Sequence, residues 1–401
     1  MTTCDSIQRV AIFGATGSIG ASTLDVIARN PDRYEVTVLA AHSSAEAMAE
    51  LCWRHRPKFA HMADPAAAER LERALIGSDV TVCSGSERLE ALAGSEHVDS
   101  VMAAIVGAAG LSSTLAAARA GKKLLLANKE SLVMAGALLM NSAEASGSHI
   151  LPIDSEHNAI FQCLEHDDRA KPCLHGVESI ILTASGGPFR TWSAEAIAQA
   201  TPEQAITHPN WSMGAKISVD SASLMNKGLE LIEASWLFDM HPRRIEILVH
   251  PQSIIHSMVR YCDGSVLSQM GLPDMRTPIA YGLGWPERTH SGVSPLDFGK
   301  LGALTFEEPD LTRFPCLRIA REAAIAGGTA SALCNAANEV AVAAFLQGDL
   351  QFGDIPRVVE SVLIEVPNRE PSSLTVVLDQ DLVARDCAQR AVAEFRMARR
   401  L

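Results

Sequence analysis

The first 150 residues alternate short apolar runs with segments that have the apolar spacing of helices. Two of these segments, Thr23–Asn30 and Ala45–Arg54, suit helices between successive apolar runs. Strands that alternate with helices of this length predict a parallel sheet covered on both faces. The predicted strands are Arg9–Phe13, Val36–Ala41, Phe59–Met62, Val80–Val82, Ser100–Ile105 and Lys123–Ala127.

The pattern changes after His149, where strand-like runs lie among long loops rich in Gly, Pro, His and Trp. This pattern is typical of an α+β domain that carries a site on its loops. Four prolines between residues 284 and 315 indicate a linker. From about Thr312 the three- and four-residue apolar spacing predicts a small helical bundle. The strand-like runs are Ile150–Ile153, Glu178–Thr183, Ile245–His250 and Ser265–Gln269.

A glycine-rich loop, Gly14-Ala15-Thr16-Gly17-Ser18-Ile19-Gly20, follows the first predicted strand and opens a helix. Glycines there let the backbone approach a pyrophosphate, and the helix N-terminus supplies free N–H groups. The spacing is G-x-x-G-x-x-G and departs from the usual G-x-G-x-x-G, so a simple tight turn is the alternative. In its strand–turn–helix context the loop predicts dinucleotide binding, with Gly14, Thr16, Gly17, Ser18 and Ile19 at the cofactor.

The end of the second predicted strand indicates which dinucleotide is bound. An NAD site would place Asp or Glu there, whereas this chain has His42-Ser43-Ser44 and no acid before Glu46. The missing carboxylate favours NADPH, because nothing repels a 2′-phosphate. The sequence offers no Arg or Lys in the same place, so the charge that would attract that phosphate is not identified.

The net charge is −13 and the pI is about 5.5. This acidic balance argues against nucleic acid or an anionic membrane as the main partner. A small anionic substrate stays possible if local Lys, helix N-termini or a metal meet its charge. The nine cysteines form no C-x-x-C pair, and the longest apolar stretches fall short of the roughly 18 residues that cross a bilayer. We expect free thiols and a cytoplasmic protein.

Two groups of side chains suggest a hard metal ion. Asp154 and Glu156 follow a strand-like run, and on an extended segment residues i and i+2 face the same side. Oxygen ligands of this kind suit Mg²⁺ or Mn²⁺, although such a pair is more often simply solvated. A zinc site through His157 and His166 is a weaker alternative, since neither Cys nor a second helical His completes it.

The second group is Asn226, Lys227 and Glu230, at the start of a predicted helix on which Asn226 and Glu230 share a face. A carboxylate beside an Asn and a Lys can serve one ion and one phosphate, and an exposed helix face is the alternative. A glycine-rich turn after another strand offers the Ser185 hydroxyl. A loop containing His208, Trp211 and Gly214 is either anchored by packing or a lid that closes over ligand.

Eight motifs in this order resemble the 1-deoxy-D-xylulose-5-phosphate reductoisomerases. The similarity runs through most of residues 8 to 285, and several of the motifs are long and chemically unusual. They read G-A-T-G-S-I-G, L-A-N-K-E-S-L, P-I-D-S-E-H, T-A-S-G-G-P-F-R, H-P-N-W-S-M-G, K-I-S-V-D-S-A, N-K-G-L-E and H-P-Q-S-I-I-H-S-M-V-R-Y.

The resemblance implies an α/β homodimer that uses NADPH and one divalent cation (Mg²⁺, Mn²⁺ or Co²⁺). Such an enzyme rearranges and reduces 1-deoxy-D-xylulose 5-phosphate to 2-C-methyl-D-erythritol 4-phosphate in the non-mevalonate isoprenoid pathway. It implies an N-terminal Rossmann-like NADPH domain over 1–150 and a catalytic and dimerisation domain over 151–285, with a flap near 206–214. A linker over 286–311 and a C-terminal helical domain over 312–401 complete the expected organisation.

The resemblance also assigns roles to residues. Asp154, Glu156 and Glu230 would be the metal ligands, with Lys129 and Glu156 in the chemistry. Asn128, Glu130 and Gly214 would line the cofactor site, beside the glycine loop and His42-Ser43-Ser44. Substrate would meet Lys129, Ser155, Ser185, His208, Trp211, Ser221, Asn226 and Lys227.

The chain departs from the family pattern at one loop, and two other classes of function share parts of its pattern. Relatives often carry Gly, then Lys or Ser, then Asn where this chain has His42-Ser43-Ser44, which leaves the 2′-phosphate contacts open. An NADPH-dependent semialdehyde dehydrogenase can share the glycine loop but needs a Cys nucleophile, for which Cys163 and Cys173 are the candidates. A non-catalytic NADPH-sensing module would leave the carboxylate and lysine clusters without a role.

Overall fold

The computed structural model describes residues 7–207 and 214–398. Their contacts divide this part of the chain into two compact units. The N-terminal unit comprises residues 7–131, 139–173 and 274–295. The C-terminal unit comprises residues 132–138, 174–207, 214–273 and 296–398.

A seven-stranded parallel sheet forms the centre of the N-terminal unit, in the order β4-β3-β2-β1-β5-β6-β7. Val10, Ala11 and Ile12 on the central strand are each 0% exposed, so both faces of the sheet are covered. This burial explains the continuous apolar runs in the sequence. The strands are β1 Gln8–Phe13, β2 Tyr34–Ala41, β3 Phe59–Met62, β4 Thr81–Ser84, β5 Ser100–Ala103, β6 Lys123–Leu126 and β7 Ile150–Pro152.

Helices connect the parallel strands, and a two-stranded hairpin follows them. The first helix begins at Ser18, directly after Gly17, and thus earlier than the predicted Thr23. The helices are α1 Ser18–Ala28, α2 Ala45–His55, α3 Pro65–Ala74, α4 Ser86–Gly94, α5 Leu111–Arg119, α6 Glu130–Ser146 and α7 Ser155–Cys163. The hairpin strands are β8 Glu165–His166 and β9 Pro172–Cys173.

The C-terminal unit contains a four-stranded mixed sheet, in the order β11-β10-β12-β13. β10 pairs in parallel with β11 and antiparallel with β12, which pairs antiparallel with β13. The sequence did not predict β12, because its polar His256 and Ser257 are buried and mask the alternation of a half-exposed strand. The strands are β10 Val177–Ala184, β11 Ile245–Val249, β12 Ile255–Tyr261 and β13 Val266–Met270.

The remaining helices lie between residues 194 and 398. α12 belongs to the N-terminal unit and the others to the C-terminal unit. The last four confirm the predicted helical signal, and Ala384, Cys387 and Ala388 form a buried face of the final helix. The helices are α8 Ala194–Ala198, α9 Pro202–Ala205, α10 Ala215–Ala222, α11 Met225–Leu237, α12 Arg276–Gly284, α13 Pro315–Ala326, α14 Ala330–Leu346, α15 Ile355–Glu365 and α16 Leu374–Ala398.

The α/β fold class, with a parallel N-terminal sheet, an α+β region and C-terminal helices, is confirmed. The domain boundaries at 150, 285 and 311 stay a prediction. Within residues 7–207 and 214–398, every helix is too short or too polar to serve as a transmembrane span.

Candidate active site

The glycine loop joins the carboxyl end of β1 to the N-terminus of α1, as predicted. It lies where the strand order reverses, because β2 pairs with one side of β1 and β5 with the other. Open α/β sheets bind ligands in the crevice at such a switch point. Thr16, Gly17 and Ser18 are exposed, and Gly17 is the N-cap of α1 without a side-chain cap.

Two glycines of this loop are required by the backbone. Gly14 has φ +91°, and a Cβ atom there would lie 2.4 Å from the carbonyl oxygen of Ala104. A Cβ atom on Gly20 would lie 2.4 Å from the carbonyl oxygen of Ala15. The loop therefore packs tightly against its own sheet while its exposed side remains open to a phosphate.

The loop His42-Ser43-Ser44 links β2 to α2, and all three residues are exposed. Its backbone is fixed by the next loop, since the Asp64 N–H donates to the His42 carbonyl at 3.0 Å. Arg70 on α3 donates from Nη2 to the Ser43 carbonyl at 3.3 Å. Local sequence patterns contain no signal for this contact, because Arg70 lies 27 residues further along the chain than Ser43.

The segment between β6 and α6 carries two predicted site residues, Asn128 and Lys129, and the predicted Glu130 is buried as the first residue of α6. Asn128 is buried and holds the chain turn, accepting from the Ser131 N–H at 3.0 Å and donating to the carbonyl oxygens of Ile105 and Gly107. Lys129 Nζ lies 2.6 Å from Asp154 Oδ2, and both side chains are mostly buried. The predicted proximity of Lys129 to the carboxylate cluster is therefore present within the N-terminal unit.

The carboxylates Asp154 and Glu156 do not lie on an extended segment, so that part of the prediction was wrong. α7 begins at Ser155, which makes Asp154 its N-cap and puts Glu156 in its first turn. The positive end of the helix favours negative charge there. Ser155 Oγ donates to Glu156 Oε2 at 2.6 Å. The two carboxylates are thus gathered by a helix N-terminus, with Lys129 beside one and Ser155 beside the other.

The imidazole of His166 has a structural role. It stacks on the Phe161 ring with centroids 3.7 Å apart. Burial lowers the pKa of His166 to about 4, so the ring is neutral at physiological pH. His157 is fully buried in α7. The stacked, desolvated ring of His166 gives the alternative zinc site no support.

In the C-terminal unit, the turn after β10 and the helix pair α10–α11 come together. Ser185 Oγ accepts from the Gly187 N–H at 3.2 Å, and Gly187 has φ +64°. A Cβ atom on Gly187 would lie 2.8 Å from the carbonyl oxygen of Ser221. Gly187 therefore allows the turn that carries Ser185 to touch the helix that carries Ser221.

The first turns of α11 hold the predicted Asn226, Lys227 and Glu230. Lys227 and Glu230 are almost fully buried, and Lys227 Nζ lies 2.5 Å from Glu230 Oε2. Asn226 Nδ2 donates to the other oxygen of Glu230, as expected for residues that share a helix face. A buried carboxylate with a lysine and an amide beside it confirms the predicted helical placement and excludes the exposed-face alternative.

A buried network supports α10, and sequence reasoning missed it. Asp220 is 1% exposed, accepts from Asn338 Nδ2 at 2.8 Å and pairs with Lys216 Nζ at 2.9 Å. It fixes the helix on which the next residue is Ser221. Because Asn338 comes from α14, more than 100 residues away, local sequence patterns contain no signal for this contact.

The predicted flap lies mainly outside the described residues, and both His208 and Trp211 fall there. Gly214 is exposed and is the N-cap of α10. The two candidate nucleophilic thiols differ in environment. Cys163 is partly buried, which raises its pKa to about 11, whereas Cys173 is exposed. A thiol that stays protonated is a poor nucleophile, which argues against Cys163 as the nucleophile of a semialdehyde dehydrogenase.

Three family models match the chain. They describe 1-deoxy-D-xylulose 5-phosphate reductoisomerase over residues 10–136, its C-terminal domain over residues 150–238, and the DXP reductoisomerase C-terminal domain over residues 270–387. The chain belongs to the 1-deoxy-D-xylulose 5-phosphate reductoisomerase family. The resemblance inferred from the eight motifs is confirmed.

Reductoisomerases of this family resemble the chain over nearly its whole length. The enzyme from Laribacter hongkongensis is 58% identical, over 94% of this chain and 98% of the relative. The enzyme from Pseudomonas aeruginosa (strain UCBPP-PA14) is 57% identical, over 96% of this chain and 97% of the relative. The match therefore includes the helical C-terminal region as well as the nucleotide-binding sheet.

Solved structures of reductoisomerases share the fold. A crystal structure of DOX-P reductoisomerase in complex with NADPH, fosmidomycin and magnesium has a TM-score of 0.94 and 46% identity, covering 96% of this chain and 98% of that chain. The reductoisomerase from Zymomonas mobilis in complex with NADPH has a TM-score of 0.89 and 49% identity, with the same coverage.

Proposed function

We propose that this chain is an NADPH- and divalent-metal-dependent enzyme that converts 1-deoxy-D-xylulose 5-phosphate to 2-C-methyl-D-erythritol 4-phosphate. The observation that carries the proposal is the set of buried or part-buried ion pairs at helix starts, Lys129 with Asp154 and Lys227 with Glu230. Relatives that are named reductoisomerases are 57–58% identical to this chain over nearly its whole length. One related structure contains NADPH and magnesium, and the structure from Zymomonas mobilis contains NADPH.

The glycine loop suits NADPH. Gly14 and Gly20 allow the loop to pack closely against backbone carbonyls, and Thr16 to Ser18 are exposed at the start of α1. We propose that backbone N–H groups of Thr16 to Ile19 hold the pyrophosphate. Asn128, Glu130 and Gly214 are proposed to line the same cofactor, and His42-Ser43-Ser44 is proposed to meet its adenosine ribose.

The carboxylates suit a hard divalent cation. Asp154, Glu156 and Glu230 offer oxygen atoms, and each has a donor beside it that fixes its orientation. We propose that these three residues hold one ion, for which Mg²⁺, Mn²⁺ and Co²⁺ are candidates. When both are bound, the ion would polarise the carbon–oxygen bonds of the substrate, and NADPH would supply hydride.

The residues of the chain then position and protect the substrate. The Lys129 ammonium, held at Asp154, stabilises negative charge that develops on substrate oxygens. Glu156 can carry a proton, and Ser155 donates to it in the resting state. Ser185, Ser221, Asn226 and Lys227 are proposed to bind the phosphate. His208 and Trp211 are proposed to close over the site and exclude water.

The direct test follows NADPH oxidation by absorbance with 1-deoxy-D-xylulose 5-phosphate as substrate. We expect turnover in Mg²⁺ and its loss in EDTA, with recovery when Mg²⁺ is restored. A thiol-alkylating reagent should leave the activity in place, because Cys163 is protonated and lies outside the proposed chemistry. Inactivation by alkylation together with resistance to EDTA would instead favour a semialdehyde dehydrogenase, and absence of turnover would favour a sensing module.

A homodimer is proposed through the outer strand of the C-terminal sheet. Among the described strands, β13 pairs on one side with β12 and leaves its other edge open. Val266 and Leu267 on this strand are 44% and 50% exposed. An apolar strand with an open edge invites pairing with another chain. A second copy would continue the sheet and cover these side chains.

The cytoplasmic location also stays a prediction.

Leu267→Asp is expected to shift the protein from dimer to monomer, because the pairing would bury a carboxylate at the strand edge. Light scattering after size-exclusion chromatography measures the mass directly. The matched control is Leu382→Asp, an equally polar change on the exposed face of α16, where Leu382 is 64% exposed. A Leu267→Asp protein that keeps the dimeric mass would exclude β13 as the interface.

A further inference from the structure

We infer that Arg70 reads the 2′-phosphate of NADPH and supplies the positive charge that the loop His42-Ser43-Ser44 lacks. This inference rests on the proposed function, since it concerns the adenosine end of the same cofactor. It identifies Arg70 as a residue that determines cofactor specificity. Arg70 lies on α3, away from the glycine loop and from the carboxylate clusters in the sequence.

The position of Arg70 follows from the order of the strands. β2 and β3 are parallel neighbours, so the loops after them lie side by side at the carboxyl edge of the sheet. The Ala63 and Asp64 N–H groups donate to the Ala41 and His42 carbonyls at 3.0 Å each, which fastens the two loops together. α3 starts directly after the second loop, with Asp64 as its N-cap. Arg70 therefore reaches back to the first loop.

One hydrogen bond aims the guanidinium at that loop. Arg70 Nη2 donates to the Ser43 carbonyl at 3.3 Å, while its side chain remains 44% exposed. A guanidinium has five N–H donors, so one bond to the carbonyl leaves others for a phosphate. The Ser43 and Ser44 hydroxyls are exposed on the same loop and can donate alongside it.

The charges around this loop favour a phosphate over a bare ribose hydroxyl. In dinucleotide folds, a carboxylate at the end of the second strand accepts from the ribose, whereas a nearby arginine accommodates a 2′-phosphate. Glu46 Oε1 lies 3.9 Å from Arg70 Nε, but the Glu46 side chain is 82% exposed, so solvent screens this pair. The Asp64 carboxylate on the neighbouring loop accepts from the Ala66 N–H as the cap of α3. Arginine binds phosphate through two parallel N–H···O bonds, which gives both charge and geometry.

The two other basic side chains on or beside β3 are engaged elsewhere. The His61 imidazole is buried on β3, where its Nε2 contacts the Gly85 carbonyl at 2.9 Å, and burial lowers its pKa. Lys58 Nζ contacts the His97 ring, away from the loop. Among the described residues, Arg70 is thus the cation seen in a hydrogen bond to the loop at the end of β2.

The test measures binding of 2′-phospho-ADP-ribose and of ADP-ribose by calorimetry, since these differ only in the phosphate. Arg70→Ala should raise the Kd of 2′-phospho-ADP-ribose by about 10- to 150-fold, the loss expected for a charged hydrogen bond. The Kd of ADP-ribose should stay within about twofold, because its contacts are elsewhere. Arg70→Lys should recover part of the lost affinity, since lysine keeps the positive charge but lacks the two parallel N–H donors of a guanidinium.

Arg73→Ala is the matched control, because Arg73 is an exposed arginine in the last turn of the same helix. It should change neither Kd.

In turnover, kcat/KM for NADPH should fall by the same factor in Arg70→Ala, while kcat/KM for NADH is retained. The preference of the natural protein for the phosphorylated nucleotide should weaken as salt is added, and that of Arg70→Ala should respond less.

The outcomes separate this inference from the proposed function. If the natural protein and Arg70→Ala bind 2′-phospho-ADP-ribose equally tightly, Arg70 does not bind the 2′-phosphate, and the proposed NADPH-dependent function is unaffected. An equal loss for both nucleotides would show that Arg70 only holds the loop in shape. If the natural protein binds neither nucleotide, the NADPH-dependent function itself is wrong.

Discussion

Glu230→Gln is expected to lower kcat by at least about 100-fold, because it takes one negative charge from the proposed metal site while keeping the side-chain shape. The same change affects stability. Lys227 Nζ lies 2.5 Å from Glu230 in a nearly fully buried pair, and a neutral amide would leave the ammonium without that carboxylate. Breaking such a pair costs about 3–5 kcal/mol. Thermal unfolding should therefore shift to a lower temperature.

Metal binding gives a readout that does not depend on turnover. An ion that binds the folded state raises its stability by mass action, so Mg²⁺ should raise the melting temperature of the natural protein. In Glu230→Gln this increase should become much smaller. Activity like that of the natural protein at low Mg²⁺ would remove Glu230 from the metal site.

The control for stability alone is Glu339→Gln on α14. Glu339 Oε2 pairs with Arg385 at 2.6 Å and is 17% exposed, so the same substitution also weakens a part-buried ion pair. Here kcat and the Mg²⁺ response should be retained while the melting temperature falls. A comparable loss of kcat in both variants would mean that activity follows general stability, and that Glu230 has no separate role.

The elements that the sequence predicted well are those whose signals are local. The strand β1, the glycine loop and the start of α1 follow one another within 20 residues, and each has its own pattern. The helical placement of Asn226 and Glu230 likewise depends on a spacing of four residues. Such signals survive in the folded protein because neighbouring residues determine the conformation.

The carboxylate pair shows where a local pattern misleads. The apolar run before Asp154 favours a strand, and the prediction continued that strand through Glu156. In the structure β7 ends at Pro152 and α7 begins at Ser155. An Asp followed two residues later by Glu also suits a helix start, where negative charge is stabilised. The chemical prediction survives this change, since the helix N-terminus brings the carboxylates together.

The remaining differences come from contacts between distant parts of the chain. Asp220 meets Asn338 from α14, and Arg70 meets Ser43 from the neighbouring loop. Both contacts depend on how strands and helices are ordered, which a periodicity does not encode. In the same way β12 lies inside its sheet, so its polar residues are buried and the expected alternation is lost.

A compound that joins a hydroxamate to a phosphonate by a short carbon tether is expected to bind far better than either half. The hydroxamate offers two oxygens to the ion proposed at Asp154, Glu156 and Glu230. The phosphonate suits the cluster of Ser185, Ser221, Asn226 and Lys227, in which Gly187 holds the first two segments together. Because the second contact becomes intramolecular, affinity should exceed that of the better half by about 10²- to 10⁴-fold.

The measurement is a titration of the full chain with the joined compound and with each half, first in Mg²⁺ and then in EDTA. The protein should lose most of its affinity for the joined compound in EDTA, because the hydroxamate then has no ion to chelate. Lys227→Ala should weaken the phosphonate half and the joined compound but leave acetohydroxamate unchanged. Because Lys227 is paired with the buried Glu230, the melting temperature of Lys227→Ala is measured in parallel. Tight binding that survives EDTA, or equal affinity for the joined compound and its halves, would mean that the metal and phosphate clusters do not form one site.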